Sequence, residues 1–209
     1  MLSAQQASAA ARLLGRGMRD NPTHVQAFGS DPARRERTLR RMFTPFVRQQ
    51  MRSGVALGAF LTSPAAASDA SPALVGVASM SAPGRCQPSL ASKLLALPAF
   101  LHGGGPRAAL RMRAWVRIWA GRDKQAPMHW HLGPLAVEPH HQGRGIGSAL
   151  LERLCAHLDR HQALGYLETD RVENVRLYQR FGFDTVASEE VIGTPHWFMQ
   201  REPASRQAS

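Results

Sequence analysis

The sequence predicts a mixed α+β fold in a single domain, with about six strands, several helices and a partly helical insertion. Three observations carry this. Apolar residues at helical spacing fill the first quarter, short β-branched or small apolar runs follow, and the last third opens with a strand, a glycine turn and a helix. At 209 residues and 44% hydrophobic, the chain can bury one substantial core but not a second independent one.

Residues 1–53 are expected to be helical. Ser8 to Met18 carries Ala11, Leu14 and Met18 at helical spacing. After turn signals at Asn21-Pro22 and Ser30-Asp31-Pro32, Ala33 to Arg52 carries Leu39, Met42, Phe43, Phe46 and Val47. Its other face is arginine, and Pro45 is positioned to kink it. Gly54 to Leu61 and Leu74 to Met80 read as an antiparallel strand pair joined by Thr62 to Pro72, a low-complexity loop expected to be mobile.

Residues 81–128 form the insertion. Proline and glycine make its first part irregular, and a helix is expected from Arg107 to Ala120. There Met112, Trp115, Val116 and Trp119 make one apolar stripe, while Arg111 and Arg117 point elsewhere. From His129 to Val137 a strand leads to Glu138-Pro139 and the turn Gln142-Gly143-Arg144-Gly145-Ile146-Gly147. A helix follows, with Ile146, Leu150, Leu154 and Leu158 recurring every four residues. Tyr166 to Thr169 is a short strand, and Asn174 to Phe181 a short helix capped by Asn174 and ended by Gly182. Thr185 to Ile192 and His196 to Gln200 are two strands joined at Gly193-Thr194-Pro195.

The net charge of +11 favours acidic partners such as nucleic acid, an anionic membrane surface or a phosphorylated cofactor. The arginines are spread along helical faces with few interleaved aromatics and no reading motif, which argues for solvated faces and against nucleic-acid recognition. No run reaches about 18 apolar residues and no leader-like apolar segment opens the chain, so a soluble, unprocessed protein is expected, without a membrane partner. The two cysteines, Cys86 and Cys155, are expected to be reduced in a cytoplasmic setting, with Cys155 a core residue. The histidines His129, His131, His140 and His141 show no zinc-ligand spacing, and His157 and His161 lack a third ligand, so no metal is expected.

The glycine turn carries the functional signal. Three glycines directly before a helix let backbone N–H groups approach an anion without Cβ obstruction, and the helix N-terminus adds about half a positive charge. Arg144 can reach a phosphate oxygen and Gln142 can brace the loop. A Walker A loop would need Gly-Lys-Ser/Thr, which Gly147-Ser148 does not supply. A dinucleotide fingerprint would need a different glycine spacing and more βα units than about 60 remaining residues allow. A turn that merely shortens a βα connection remains open on these residues alone.

The turn also fits the Q/R-x-x-G-x-G/A motif through Gln142, Gly145 and Gly147, after a strand ending Leu135-Ala136-Val137. With Tyr166-Leu167-Glu168-Thr169 and Asn174 to Phe183, which fits N-x-x-x-Y-x-x-x-G-F, it resembles the GNAT superfamily of N-acetyltransferases. The block from His129 to Met199 is similar to the puromycin N-acetyltransferase-like branch. The resemblance implies a GNAT-type α+β fold, a central, mostly antiparallel β-sheet of about six strands with helices on both faces and a helical insertion between strands 3 and 4, and an acetyl-CoA-binding and catalytic half over residues 129–201. Met1 to Ser8 offers no strand pattern, so the sheet starts one strand short or the chain is truncated.

The resemblance implies acetyl-CoA as co-substrate, bound by Leu135, Ala136 and Val137 along the strand, by Gln142, Gly143, Arg144, Gly145, Ile146, Gly147 and Ser148 at the turn, and by Asn174 and Tyr178. It implies a bulge at Gly133-Pro134, an oxyanion contact from the Leu135 N–H, and Tyr178 as the acid that protonates the leaving thiolate. For the base that takes the amine proton, Glu168 stands first and His131 second, with water a third choice. The implied activity is acetyl transfer to a primary amine of a small molecule or peptide, by a monomer or homodimer. A catalytically silent acyl-CoA-binding regulator and a basic nucleic-acid-binding protein are the alternatives. Acceptor contacts are expected from Asn21 to Asp31 and from the insertion, with Trp115 or Trp119 lining the site.

Overall fold

The computed structural model describes residues 1–61, 72–87 and 90–204, with the side chains of 90–104 outside that description. The expected loop at 62–71 lies outside the described residues. Helices α1 (Ala7–Gly17), α2 (Pro22–Phe28) and α3 (Pro32–Ser53) precede strands β1 (Gly54–Leu61) and β2 (Ala73–Ser81). Helix α4 (Leu90–Gln125) leads to β3 (Trp130–Val137), α5 (Ile146–Arg160), β4 (Gly165–Thr169), α6 (Val172–Gln179), β5 (Asp184–Val191) and β6 (Thr194–Arg201). No described helix is long and apolar enough to cross a membrane.

The six strands form one sheet in the order β1-β2-β3-β4-β6-β5. Every pairing is antiparallel except β3 with β4, which is parallel and limited to Trp130↔Gly165 and His131↔Tyr166. The insertion enters between β2 and β3, the third and fourth strands of a sheet counted with a leading strand. Of such a strand only a trace is present: the Leu2 N–H donates to the Ala56 carbonyl at 2.9 Å, as a ladder partner of β1 would.

Helices cover both faces, and alternation along the strands divides the core in two. Ala56, Val77 and Ala136 pack with Leu13, Leu14, Leu39 and Phe43 of α1 and α3, together with Met112 of α4. Val55, Ala78, Met80 and Leu132 pack on the opposite face with Leu150, Leu151, Leu154 and Leu158 of α5. Burying each of those leucines stabilises the fold by roughly 1.5–3 kcal/mol.

Four local expectations are corrected. Asn21-Pro22 does not simply turn the chain: proline at the first helical position starts the additional helix α2. The stretch before Arg107 is helical from Leu90, broken at Gly105 (φ 68°, ψ −172°), and the second arm runs past Ala120 to Gln125. Asn174 does not cap its helix, because α6 begins at Val172 with Arg171 at the N-cap; the Asn174 side chain instead donates to Thr169 Oγ1 at 3.3 Å. The β5–β6 turn is made by Ile192 (φ 49°) and Gly193 (φ 78°), and Thr194-Pro195 already belongs to β6. Both positive angles suit the primed turns that follow strand twist, which sequence spacing alone did not separate from a longer loop.

Candidate active site

The parallel ladder between β3 and β4 stops after His131↔Tyr166, so from Leu132 onward β3 leaves β4 and the sheet opens as a wedge. On its other edge β3 is bulged. Ala78 opposes Leu135 and Met80 opposes Leu132, which leaves Ser79 alone against Gly133-Pro134. Proline cannot donate to a ladder, and Ser79 fills the gap by donating its hydroxyl to the Gly133 carbonyl at 3.0 Å.

At the far end of β3 the chain passes a short turn at Pro139–His141 and enters the glycine loop. Gln142 Nε2 donates to the Val137 carbonyl at 3.1 Å, bracing the loop against the strand it leaves. Gly143 (φ 74°) and Gly145 (φ 78°) both take left-handed backbone, which side-chain-bearing residues enter at a cost of about 1–2 kcal/mol. Gly145 is the N-cap of α5 and supplies no side chain to it. The first backbone donor used within the helix is Ala149 N–H, leaving those of Ile146, Gly147 and Ser148 free of helical partners. Arg144 is exposed beside them, and the nearby Glu138 carboxylate is neutralised by Arg16.

The wedge opens into a cavity of about 460 Å³. Leu132 to Leu135 of β3, with Glu168 and Thr169 of β4 and Asp170 just beyond it, form its floor; Asn174 and Tyr178 of α6 close one end. Trp115 and Trp119 of the insertion, with Phe43 and Phe46 of α3, form an apolar wall. Burial, with the Glu168 and Asp170 charges adding to it, pushes the Tyr178 phenol well above its ordinary value, so it stays protonated near neutrality. Its ring meets Phe183 edge-on at 6.0 Å.

Sequence reasoning chose Glu168 and His131 separately, and the structure brings them together. His131 Nε2 lies 2.9 Å from Glu168 Oε2, at ion-pair distance without hydrogen-bond alignment. The insertion adds Asp123, whose Oδ1 stands 3.1 Å from His129 Nε2 and 3.7 Å from His131 Nδ1. Desolvation opposes a charged His131, but the Glu168 and Asp123 carboxylates outweigh it and raise the imidazole to about 9. Asp123 is lowered in turn: its burial raises it, and donors from His129, His131 and Gln87 more than reverse that. Cys86, 4.0 Å from His129 Nε2, is pushed up to about 12 by burial and the Asp123 charge.

A second polar cluster also escaped sequence reasoning. Asp170 Oδ2 accepts from the Thr23 N–H at 2.8 Å, and Thr23 Oγ1 lies 3.1 Å from His196 Nε2. His24 donates from Nδ1 to the Met18 carbonyl at 2.8 Å, and burial lowers its pKa so that it is neutral. These residues come from α2, which the sequence reading took for a turn, and from β6. The Asn21 to Asp31 segment does border the cavity, through Asn21, Thr23 and His24. Among the described residues, four buried polar atoms without hydrogen-bond partners border the same space: His24 Nε2, Trp119 Nε1, His131 Nδ1 and Glu168 Oε2. Buried polar groups are ordinarily paired, so this concentration marks where a ligand would complete them.

The architecture has known counterparts. The chain carries the GNAT fold. Residues 110–183 match the model of the acetyltransferase (GNAT) family, from the second arm of α4 to the end of α6 and Phe183. A histone acetyltransferase HPA2-related protein of Corynebacterium glutamicum superposes with a TM-score of 0.67 at 21% identity, covering 99% of this chain and 96% of that one. The PaiA N-acetyltransferase of Thermoplasma acidophilum, solved in complex with coenzyme A, gives 0.55 at 13% identity over 96% and 95% of the two chains. An aminoglycoside 6'-N-acetyltransferase complexed with coenzyme A gives 0.53 at 14% identity over 99% and 95%. At these identities the likeness is one of fold.

Proposed function

We propose that this protein is an acetyl-CoA-dependent N-acetyltransferase that transfers the acetyl group to a primary amine of a small molecule or peptide by direct attack. The observation that carries the reading is the wedge between β3 and β4. Leu135, Glu168 and Tyr178 surround one cavity there, and β3 runs on from it through Val137 to the anion-ready glycine turn. The family match over residues 110–183 and the coenzyme A complexes of the fold neighbours support the same donor. The closer likeness to the puromycin N-acetyltransferase-like branch rests on the block from His129 to Met199 and on the helical insertion.

On this reading the pantetheine arm runs along β3 against Leu135, Ala136 and Val137. The pyrophosphate lies on the turn from Gln142 to Ser148, met by backbone N–H groups and Arg144, with Asn174 beside the arm. The amine nitrogen attacks the thioester carbon, and the Leu135 N–H takes up charge on the carbonyl oxygen as the tetrahedral intermediate forms. Glu168 accepts the amine proton. It is the better candidate than His131, whose two nitrogens already face the carboxylates of Glu168 and Asp123. The carbon–sulfur bond then breaks, and Tyr178, a phenol that holds its proton at neutral pH, protonates the departing thiolate. The aromatic wall of Phe43, Phe46, Trp115 and Trp119 favours an acceptor whose amine is carried on an apolar body.

Isothermal titration with acetyl-CoA, followed by free-thiol release across a panel of amines, tests the proposal. Binding with thiol release on at least one amine is the expected result, and absence of binding at millimolar acetyl-CoA sinks it. Binding without thiol release on any amine would favour a silent acyl-CoA-binding regulator.

A further inference from the structure

We propose that Cys86, Asp123, His129 and His131 form a binding site for a divalent metal of the zinc class, which clips both ends of the insertion to strand β3. The four donor atoms lie within 4.8 Å of one another. Zinc bonds of about 2.0–2.3 Å in a tetrahedron put donors about 3.3–3.7 Å apart. The 3.7 Å from His131 Nδ1 to Asp123 Oδ1 meets that spacing, and the 3.1 Å from His129 Nε2 to the same oxygen is shorter than it by about 0.2 Å. Cys86 Sγ, 4.0 Å from His129 Nε2, needs to close by only a few tenths of an ångström.

His129 Nδ1 stands 2.7 Å from the Pro127 carbonyl, which can only accept, so this nitrogen carries a proton and Nε2 is directed at the Asp123 carboxylate. His131 likewise stands between two acceptors, Glu168 at Nε2 and Asp123 toward Nδ1, an arrangement satisfied either by a second ring proton or by a metal on the inward nitrogen. Two imidazoles therefore face acceptors on both sides, and His131 Nδ1, on a side chain 6% exposed, has no hydrogen-bond partner. A dication among the four donors turns both inward nitrogens into ligands. A thiolate from Cys86 and the Asp123 carboxylate balance its two charges in a buried place. The thiol proton leaves as the metal enters.

Each ligand except the cysteine also has the outer partner that metal sites use to fix ligand orientation. Pro127 O serves His129, Glu168 serves His131, and Gln87 Nε2 donates to Asp123 Oδ2 at 3.0 Å, leaving Oδ1 for the metal. Trp119 packs edge-on to His131 at 5.2 Å and Tyr166 lies 4.7 Å from His129, keeping water away, while Cys86 and His131 border the cavity and offer an entry path. The sequence reading expected no metal because it sought spacing among histidines alone. Two of the donors come from opposite ends of the insertion, 37 residues apart in the chain. No step of this inference uses a cofactor or an acceptor amine, so it stands or falls apart from the transferase reading.

The test is metal analysis on the full-length chain, purified without chelator and dialysed into metal-free buffer. About one zinc per chain is expected in the wild type, retained in the surface variant His140→Ala and reduced at least about tenfold in Cys86→Ser and His129→Gln. Stripped protein reloaded with Co²⁺ should show thiolate-to-cobalt charge-transfer absorption, and Cys86→Ser should lose it. Glu168→Gln should weaken Zn²⁺ affinity about 10- to 100-fold in a chelator competition, an effect a residue unconnected to the metal would not produce. Should the ligand variants fail to fold, the wild-type zinc content and Co²⁺ spectrum decide alone. A wild type with no zinc and no charge-transfer band on Co²⁺ titration, or a band that survives Cys86→Ser, overturns the proposal.

Discussion

Gly145→Ala separates a loop that binds through its backbone from one that merely turns the chain. A Cβ at Gly145 would meet nothing within 4 Å, so the substitution introduces no clash, and its cost is confined to holding alanine at φ 78°. That cost is about 1–2 kcal/mol. If the unliganded turn relaxes to avoid it, the cofactor must restore the left-handed conformation on binding, so the same energy reappears as a loss of affinity of about 5- to 30-fold. Gly147→Ala is the control. Gly147 has no positive φ, and its Cβ would sit 3.7 Å from Leu135 Cδ2 and Val137 Cγ2, in ordinary contact. Alanine there should raise thermal stability by up to about 1 kcal/mol through helix propensity and leave acetyl-CoA affinity within a few fold. Titration calorimetry gives both constants. Equal affinity for acetyl-CoA in the two variants would refute the argument that the left-handed turn is what the phosphates recognise.

Tyr178→Phe should lower kcat by at least about tenfold while leaving acetyl-CoA affinity nearly unchanged, and unchanged turnover would remove the phenol from the mechanism. Trp115→Ala or Trp119→Ala should raise the acceptor KM, measured by thiol release; an unaltered KM in both would reduce them to packing on the sheet. Asp159→Asn should destabilise the fold by about 1–2 kcal/mol at neutral pH, because Asp159 accepts two hydrogen bonds from Arg201, at 2.7 and 2.9 Å, and one from Ala204 N–H. Those bonds lower the folded pKa of Asp159 below its unfolded value. Its contribution is therefore present above the ordinary carboxylate range and lost as pH falls through the folded pKa. Chemical denaturation should show the gap between wild type and variant narrowing as pH falls below about 4 and closing below the folded pKa, and a gap that does not narrow with falling pH would contradict the linkage.

The sheet was legible where its signals are local. Val137, Gln142 and the leucines of α5 announce strand, turn and helix within a few residues, and the bulge follows from a proline that cannot donate to a ladder. Glu168 and His131 were singled out on separate strands, and their meeting at 2.9 Å follows once the α5 crossover lays β4 parallel to β3. Asp123 could not be reached that way, because its position depends on how a long helix with a break at Gly105 lies back across the sheet. One signal was available: Asp123 is the only acidic residue between Ser81 and Met128, a solitary carboxylate among many arginines. His129 and His131, two apart on an extended chain, also share one face, which is visible before any fold is known. The α2 residues Thr23 and His24 were hidden because a seven-residue helix opening with proline carries too little periodicity to distinguish from a turn.

The early separation of β3 from β4 has a consequence for how such a molecule can change. The wedge is edged by peptide groups, and a peptide group is the same whatever side chain it bears. Substitutions can therefore rework the walls supplied by α2, α3 and the insertion with little penalty to the cleft itself. The protein is divided between a surface that mutation can rewrite and one written in the backbone, where only proline, or a side chain in place of glycine, alters the text.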